Sequence, residues 1–376
     1  MTPSRIAPIQ WLRALAATLV LLMHASDMID SGPVALTGKF VPSVPNLSMF
    51  GASGVDLFFV ISGFVMAQSL ATTDAESWRF LAKRWLRIVP LFACVSAVYM
   101  LIMHDPLTVP AAWMSITVLP VLDGAGYHVP ALYPGWTLGF EFAFYVIVAV
   151  AMRAPQRRVE TLLALTVAVA LIGSVVHPGW APLRLLLNPL LLEFALGVGV
   201  WMAWRSGISA RYATPALVIG TVLLVVGIAF GLGVPLSLQI EVAVAGTSGL
   251  ARTWTWGIPW ALVVVGVIDT SADGRFERIV ARVGDASYST YLTHPLPDRA
   301  AVDGRRLCPN HVTLSVRAGV HRRIDDAGIG GASVDRAAAA GAVAASAVGI
   351  DRASTGARLT GVTRQRVRRG RSGPWR

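Results

Sequence analysis

The sequence predicts an all-α, polytopic transmembrane helical bundle of about 8–10 spans with a cytoplasmic N-terminus. Three observations lead there. Of 376 residues, 55% are hydrophobic and only 14% charged, and the mean hydropathy is +0.61, too apolar for a soluble chain of this size. Apolar runs near 9–28, 52–70, 88–104, 137–152, 159–176, 183–204, 214–233 and 254–269 each approach the length that crosses hydrocarbon, and a ninth begins near 283. The basic residues also alternate. With the N-terminus inside, 14 of the 17 Lys and Arg residues before residue 296 fall in cytoplasmic loops, leaving only Lys39, Arg184 and Arg252 outside.

Taken in order, the first run holds Trp11 to His24 and carries Arg13 within it. A cleaved signal peptide is argued against by that arginine and by the many later spans. The second run contains Gly54-Val-Asp-Leu-Phe-Phe-Val-Ile-Ser-Gly-Phe64, and the third opens on Lys83-Arg84-Trp85-Leu86-Arg87. Pro106, Pro110, Pro120, Pro130 and Pro134 make 105–135 an outer loop, dipping back toward the membrane around Ala111–Leu122. Trp136 leads into the fourth run, and 234–253 is ambiguous between loop and span.

The net charge of +11 does not point to nucleic acid, because it is unevenly spread. Residues 1–295 hold 17 Lys+Arg against 15 Asp+Glu, whereas 296–376 hold 15 Arg against 6 Asp, with no Lys or Glu. The organisation read from this is a transmembrane domain over 1–295 and an Arg/Ala/Gly-rich tail over 296–376. The tail is either a disordered basic segment touching anionic lipid or the product of a reading-frame shift near residue 296. Cys94 and Cys308 form no Cys/His cluster, so neither a disulfide framework nor a metal site is expected.

Ionisable groups inside spans are expensive and mark substrate or proton sites. Arg13 and His24 are eleven residues apart, which at about 100° per residue puts them on one helix face, separated by about 16 Å. Asp27 follows His24 at i+3 and is placed to orient the imidazole. Asp56, Glu141 and His294 lie toward the outer ends of their spans, and Arg184 with Glu193 is expected to pair in the sixth. Arg84 and Arg87, three apart, turn both guanidinium forks to one side of the third helix, a geometry suited to phosphate oxygens.

A phosphate grip at one surface and a His/Glu/Asp group toward the other fit transfer of an acyl group from acyl-CoA to a hydroxyl. His24, Asp27 and Glu141 are the candidate catalytic residues, with neutral His24 taking the acceptor proton. Arg13, Arg84 and Arg87 are the candidate donor-binding residues. Donors to the oxyanion are sought among Ser62, Trp136, Tyr145 and the Gly63 backbone N–H, and Asp56 and His294 complete the polar set. No nucleophile elbow is present, which favours direct transfer over an acyl-enzyme.

At these residues the chain resembles acyltransferase family 3, the integral-membrane O-acyltransferases that acetylate polysaccharides and related acceptors. The likeness spans roughly 7–295. It rests on Arg-x10-His at Arg13 and His24, the run at 54–64, Arg-x-x-Arg at Arg84 and Arg87, Trp136-Thr-Leu-Gly-Phe-Glu141 with Phe144-Tyr145, and Ser287-Tyr-Ser-Thr-Tyr-Leu-Thr-His294. The resemblance implies about ten spans, acyl-CoA (acetyl-CoA) as co-substrate, His24 as base and the Arg pair in donor binding. A bacterial inner-membrane location among lipids and a carbohydrate, lipid-linked sugar or small hydroxylated acceptor are expected, although the resemblance says little about the acceptor. The rival expectation is a secondary transporter for an anionic solute, with His24 and Glu141 relaying protons; a third is a non-catalytic membrane interaction protein.

Overall fold

The computed structural model describes residues 6–31, 46–72, 76–103, 108–123, 126–154, 156–233, 239–271 and 274–296. The tail expected from residue 296 lies, from 297 onward, outside the described residues, as do the side chains of 26–31 and with them Asp27.

The first half comprises α1 (Ala7–Ser31), α2 (Leu47–Ala52), α3 (Gly54–Thr72), α4 (Ser77–Met103), α5 (Val109–Thr117) and α6 (Trp136–Ala151). The second half comprises α7 (Arg158–Gly173), α8 (Ala181–Leu186), α9 (Leu192–Arg205), α10 (Ile208–Ala229), α11 (Gln239–Ala245), α12 (Gly249–Arg252), α13 (Ile258–Val267) and α14 (Arg275–Thr293). A π-helical turn, Thr253–Gly257, joins α12 to α13. Between α5 and α6 the proline-rich loop forms a minimal antiparallel ladder of β1 (Leu122–Asp123) and β2 (Gly126–Tyr127).

Five segments among the described residues are long and apolar enough to cross a membrane: Ala7–Ala25, Met49–Thr72, Ser77–Ile102, Tyr133–Ala151 and Ile208–Ala229. The runs at 159–176, 183–204 and 254–269 are built instead from shorter or composite helices. The break in 183–204 has a local cause. Pro189 supplies no N–H, and the residue before a proline is pushed out of the helical region; Asn188 accordingly sits at φ −91°, ψ 131°. Its buried side chain then bridges, accepting from Leu190 N at 3.0 Å and donating to the Ala243 and Val244 carbonyls at 2.8 and 3.2 Å.

Lipid tails are as apolar as side chains, so helices in a bilayer associate through close packing rather than hydrophobic burial. Small residues sit where this requires them. α3 and α9 cross with Gly63 against the Phe194 carbonyl and Gly197 against that of Val60, leaving no room for a Cβ on either. Around that crossing the rings of Phe59 and Phe144 lie 4.6 and 4.5 Å from Phe194. α1 packs along α14 and α10 along α13. The outer face of α10, with Val218, Val222 and Val225 more than half exposed, is the bundle's apolar exterior.

Candidate active site

Three arginines from two helices meet in one cavity of about 180 Å³. Arg13 comes from α1, and Arg84 and Arg87 come from one side of α4, as their spacing requires. Arg84 is fixed by Ser69 Oγ at 3.3 Å and lies over the rings of Phe80 and Tyr145, 5.2 and 5.7 Å from their centres. Arg13 and Arg87 make no hydrogen bond or ion pair with any described residue. The one carboxyl lining the cavity is Glu141 on α6, which accepts from Ser62 Oγ on α3 at 2.5 Å, with the Tyr145 hydroxyl beside it. Three guanidiniums line the cavity against one carboxyl, and Asp285 of α14 adds a second negative charge acting on Arg13, so the largely apolar enclosure keeps an excess of positive charge.

One residue in the wall has an unmet requirement. Ser287 on α14 is fully buried, lines the cavity, and its hydroxyl has no partner among the described residues. A buried polar group without a partner carries a penalty of about 1–3 kcal/mol.

His24 is not in this cavity but at its far end. Its ring lies over that of His294, with centroids 5.0 Å apart and planes 21° from parallel, and meets Tyr133 edge-on at 4.8 Å. Tyr133 Oη is 3.0 Å from His294 Nε2, and His294 Nδ1 is 2.7 Å from the Tyr291 carbonyl. Between this group and the cavity stands Tyr291, packed on Phe58, its hydroxyl 3.2 Å from Thr137 Oγ1 and both directed to the Pro134 carbonyl. Tyr291 and Thr137 line the cavity on one side, while the Tyr291 backbone holds His294 on the other.

The chain matches the family described as "Acyltransferase domain" over residues 6–299, covering every element named above. It belongs to acyltransferase family 3. It is 32% identical to the exopolysaccharide production protein ExoZ of Rhizobium meliloti over 65% of this chain and 75% of that one. It is 30% identical to an O-acetyl transferase of Shigella phage Sf6, over 43% of this chain and 51% of that one. Against the acyltransferase MdmB of Streptomyces mycarofaciens the identity is 25% over 66% and 68% of the two chains. No solved structure matches significantly. The protein is thus an acyltransferase embedded in a membrane.

Within this acyltransferase the residues singled out from sequence separate into three groups. Arg13, Ser62, Arg84, Arg87, Glu141 and Tyr145 meet in the cavity; His24 and His294 meet beyond Tyr291. Glu141 therefore lies with the arginines rather than beside His24.

Asp56 belongs to neither. It is fully buried and bound by Arg252 through two parallel hydrogen bonds, so it serves helix packing rather than the cavity. The expected Arg184–Glu193 pair does not form. Arg184 donates to the Pro178 and His177 carbonyls at the start of α8, because the Asn188-Pro189 break separates it from α9. Glu193 is buried instead near Asp56 and Arg252.

Two of the candidate oxyanion donors do not line the cavity. The Gly63 backbone lies in the middle of α3, pressed on Phe194, where its N–H serves the helix. Trp136 is buried against Phe140, outside the cavity lining. Sequence reasoning passed over Tyr133, Thr137, Ser287, Tyr291 and Arg252. The signals present in the chain were the motifs at 136–141 and 287–294, which contain Thr137, Ser287 and Tyr291, Arg252 as a lone charge in an apolar stretch, and the Tyr-Pro-Gly turn just before Trp136.

Proposed function

We propose that this enzyme moves an acyl group, acetyl in the simplest case, from acyl-CoA to a hydroxyl of a carbohydrate or similar acceptor at the bacterial inner membrane. The observation that carries the reading is the excess of positive charge from Arg13, Arg84 and Arg87 in a cavity whose Tyr291 wall borders the His24–His294 pair. Arginine forks suit phosphate and hold it where ammonium groups would remain hydrated. The donor's phosphates lie on these three side chains, and its pantetheine arm runs along α1 toward His24, about 16 Å away by helix rise.

At the far end the acceptor oxygen attacks the thioester carbonyl while His24 takes its proton. The C–O bond forms, the C–S bond breaks, and His24 returns the proton to the departing thiolate. Tyr291 stands where the thioester must pass, so its ring turns aside as the arm enters. Glu141, held by Ser62, sets the position and field of the arginines rather than acting at the acceptor. The exopolysaccharide relative supports a sugar hydroxyl as the acceptor. The basic residues on alternate loops support a cytoplasmic N-terminus, which puts the arginines toward the cytoplasmic pool of donor.

The test uses the full chain in lipid nanodiscs with acetyl-CoA labelled in the acyl group. Free thiol appears at a slow basal rate, a sugar acceptor accelerates it and takes up the label, and His24→Ala abolishes both. Intact acetyl-CoA in the presence of protein that instead carries an anionic solute across the bilayer overturns the proposal in favour of a transporter.

A further inference from the structure

The two histidines at the end of the cavity are not equivalent, and hydrogen-bond chemistry tells them apart. His294 Nδ1 lies 2.7 Å from the Tyr291 backbone carbonyl. A carbonyl oxygen only accepts, so Nδ1 carries the hydrogen. In the neutral ring Nε2 then presents its lone pair, and Tyr133 Oη, 3.0 Å away, donates to it. Both ring nitrogens of His294 are engaged, one tautomer is selected, and no free lone pair is left for a substrate proton. Among the described residues, none gives the His24 ring such an anchorage. It is held by faces and edges: His294 stacked at 5.0 Å, Tyr133 edge-on at 4.8 Å.

We propose that His294 is a positioning residue for His24, a neutral stacking platform locked by Tyr133 and the Tyr291 carbonyl that sets the plane of the base. The inference rests on the reading of His24 as base. A protonated neighbour 5.0 Å away would oppose the charge that His24 gains as it takes the acceptor proton. A neutral aromatic face does not, and it confines the ring to the orientation in which its free nitrogen meets the acceptor. The arrangement joins α14 to α1, which explains why a residue 270 positions along the chain belongs to the same catalytic end.

The experiment compares full-length His294→Ala, His294→Phe and Tyr133→Phe in nanodiscs, with His24→Ala as control. Two readouts are taken: acyl transfer from acetyl-CoA, and carbethoxylation of His24 by diethyl pyrocarbonate followed by peptide mass spectrometry. Misplacing a catalytic group by about 1 Å reduces turnover by about 100-fold. His294→Ala is expected to lower kcat by about 10- to 100-fold, with the acetyl-CoA KM within about threefold, and to speed His24 carbethoxylation as the ring is uncovered. His294→Phe keeps the platform and recovers most of kcat. Tyr133→Phe, which removes one hydroxyl and leaves the packing, lowers kcat by about three- to tenfold.

Unchanged His24 labelling in His294→Ala, wild-type kcat in that variant, or His294→Phe no better than His294→Ala overturns the proposal. An active His24→Ala overturns the base reading instead, while the labelling comparison still decides whether His294 holds His24.

Discussion

Arg252 grips Asp56 with two parallel hydrogen bonds, Nε to Oδ1 at 3.0 Å and Nη2 to Oδ2 at 2.6 Å, both side chains almost wholly buried. The pair ties α12 to the start of α3 across 196 residues. Glu193 lies against it from α9, its buried carboxyl beside that of Asp56. One guanidinium thus serves two buried carboxyls. Removing one member of a buried pair is far more damaging than exchanging the whole pair, because the survivor is left charged in a low-dielectric interior.

Arg252→Met is therefore expected to destabilise the protein by about 3–5 kcal/mol. Glu193→Gln, which removes the surplus acid, is expected to be neutral or stabilising. Equilibrium unfolding in mixed micelles checks both, and a Glu193→Gln variant as unstable as Arg252→Met would contradict the account.

The cavity arginines predict a division of kinetic effects. Arg87 has no hydrogen bond or ion pair to lose among the described residues, so Arg87→Ala leaves stability within about 0.5 kcal/mol of the parent. It is expected to raise the acetyl-CoA KM by about tenfold or more with kcat little changed, the signature of lost ground-state binding. The rise should shrink for an acyl-pantetheine lacking the nucleotide phosphates. Steady-state kinetics with the two donors decide this.

Ser287 predicts opposite effects on stability and on binding. Its orphaned buried hydroxyl makes Ser287→Ala neutral or stabilising by up to about 1 kcal/mol in the ligand-free protein. If the hydroxyl meets an amide of the donor's arm, the same change weakens donor binding by about three- to tenfold. Thermal unfolding with and without acetyl-CoA separates the two. A stability loss without donor would show that the hydroxyl already has a partner.

The α3–α9 crossing predicts intolerance at one position. A Cβ on Gly63 meets the Phe194 backbone carbonyl, which cannot move aside as a side chain would. Gly63→Ala is expected to cost about 1–3 kcal/mol and to loosen the crossing. Because Ser62 is the preceding residue, the shift also disturbs its bond to Glu141. The check is unfolding midpoint together with donor KM; a wild-type value for both would mean that the helices cross elsewhere.

Relations within one helix are legible in the order of residues alone. Arg84 and Arg87 share a face because they are three residues apart, and Arg13 and His24 share one because eleven residues make just over three whole turns. The membrane-spanning class follows from composition and from apolar length for the same local reason. Even the interruption of the 183–204 run is written in Asn188-Pro189, where proline removes the donor a continuing helix would use.

What a helical period leaves open is direction around the bundle. Depth along the membrane normal, counted in residues, set Glu141, Asp56, His24 and His294 at one level, whereas the structure brings Glu141 to Arg13, Arg84 and Arg87. Depth could not say which helix each would face. That was decided by Gly63 admitting Phe194 and by side chains bonding across long stretches of chain: Ser62 to Glu141, Arg252 to Asp56, Tyr133 to His294. By itself the sequence determined a family, a membrane bundle and the residue types its chemistry needs. Only the tertiary structure divided those residues into a cation-lined cavity, a buried ion pair and a histidine pair, because close packing between distant helices depends on shapes that no local spacing encodes.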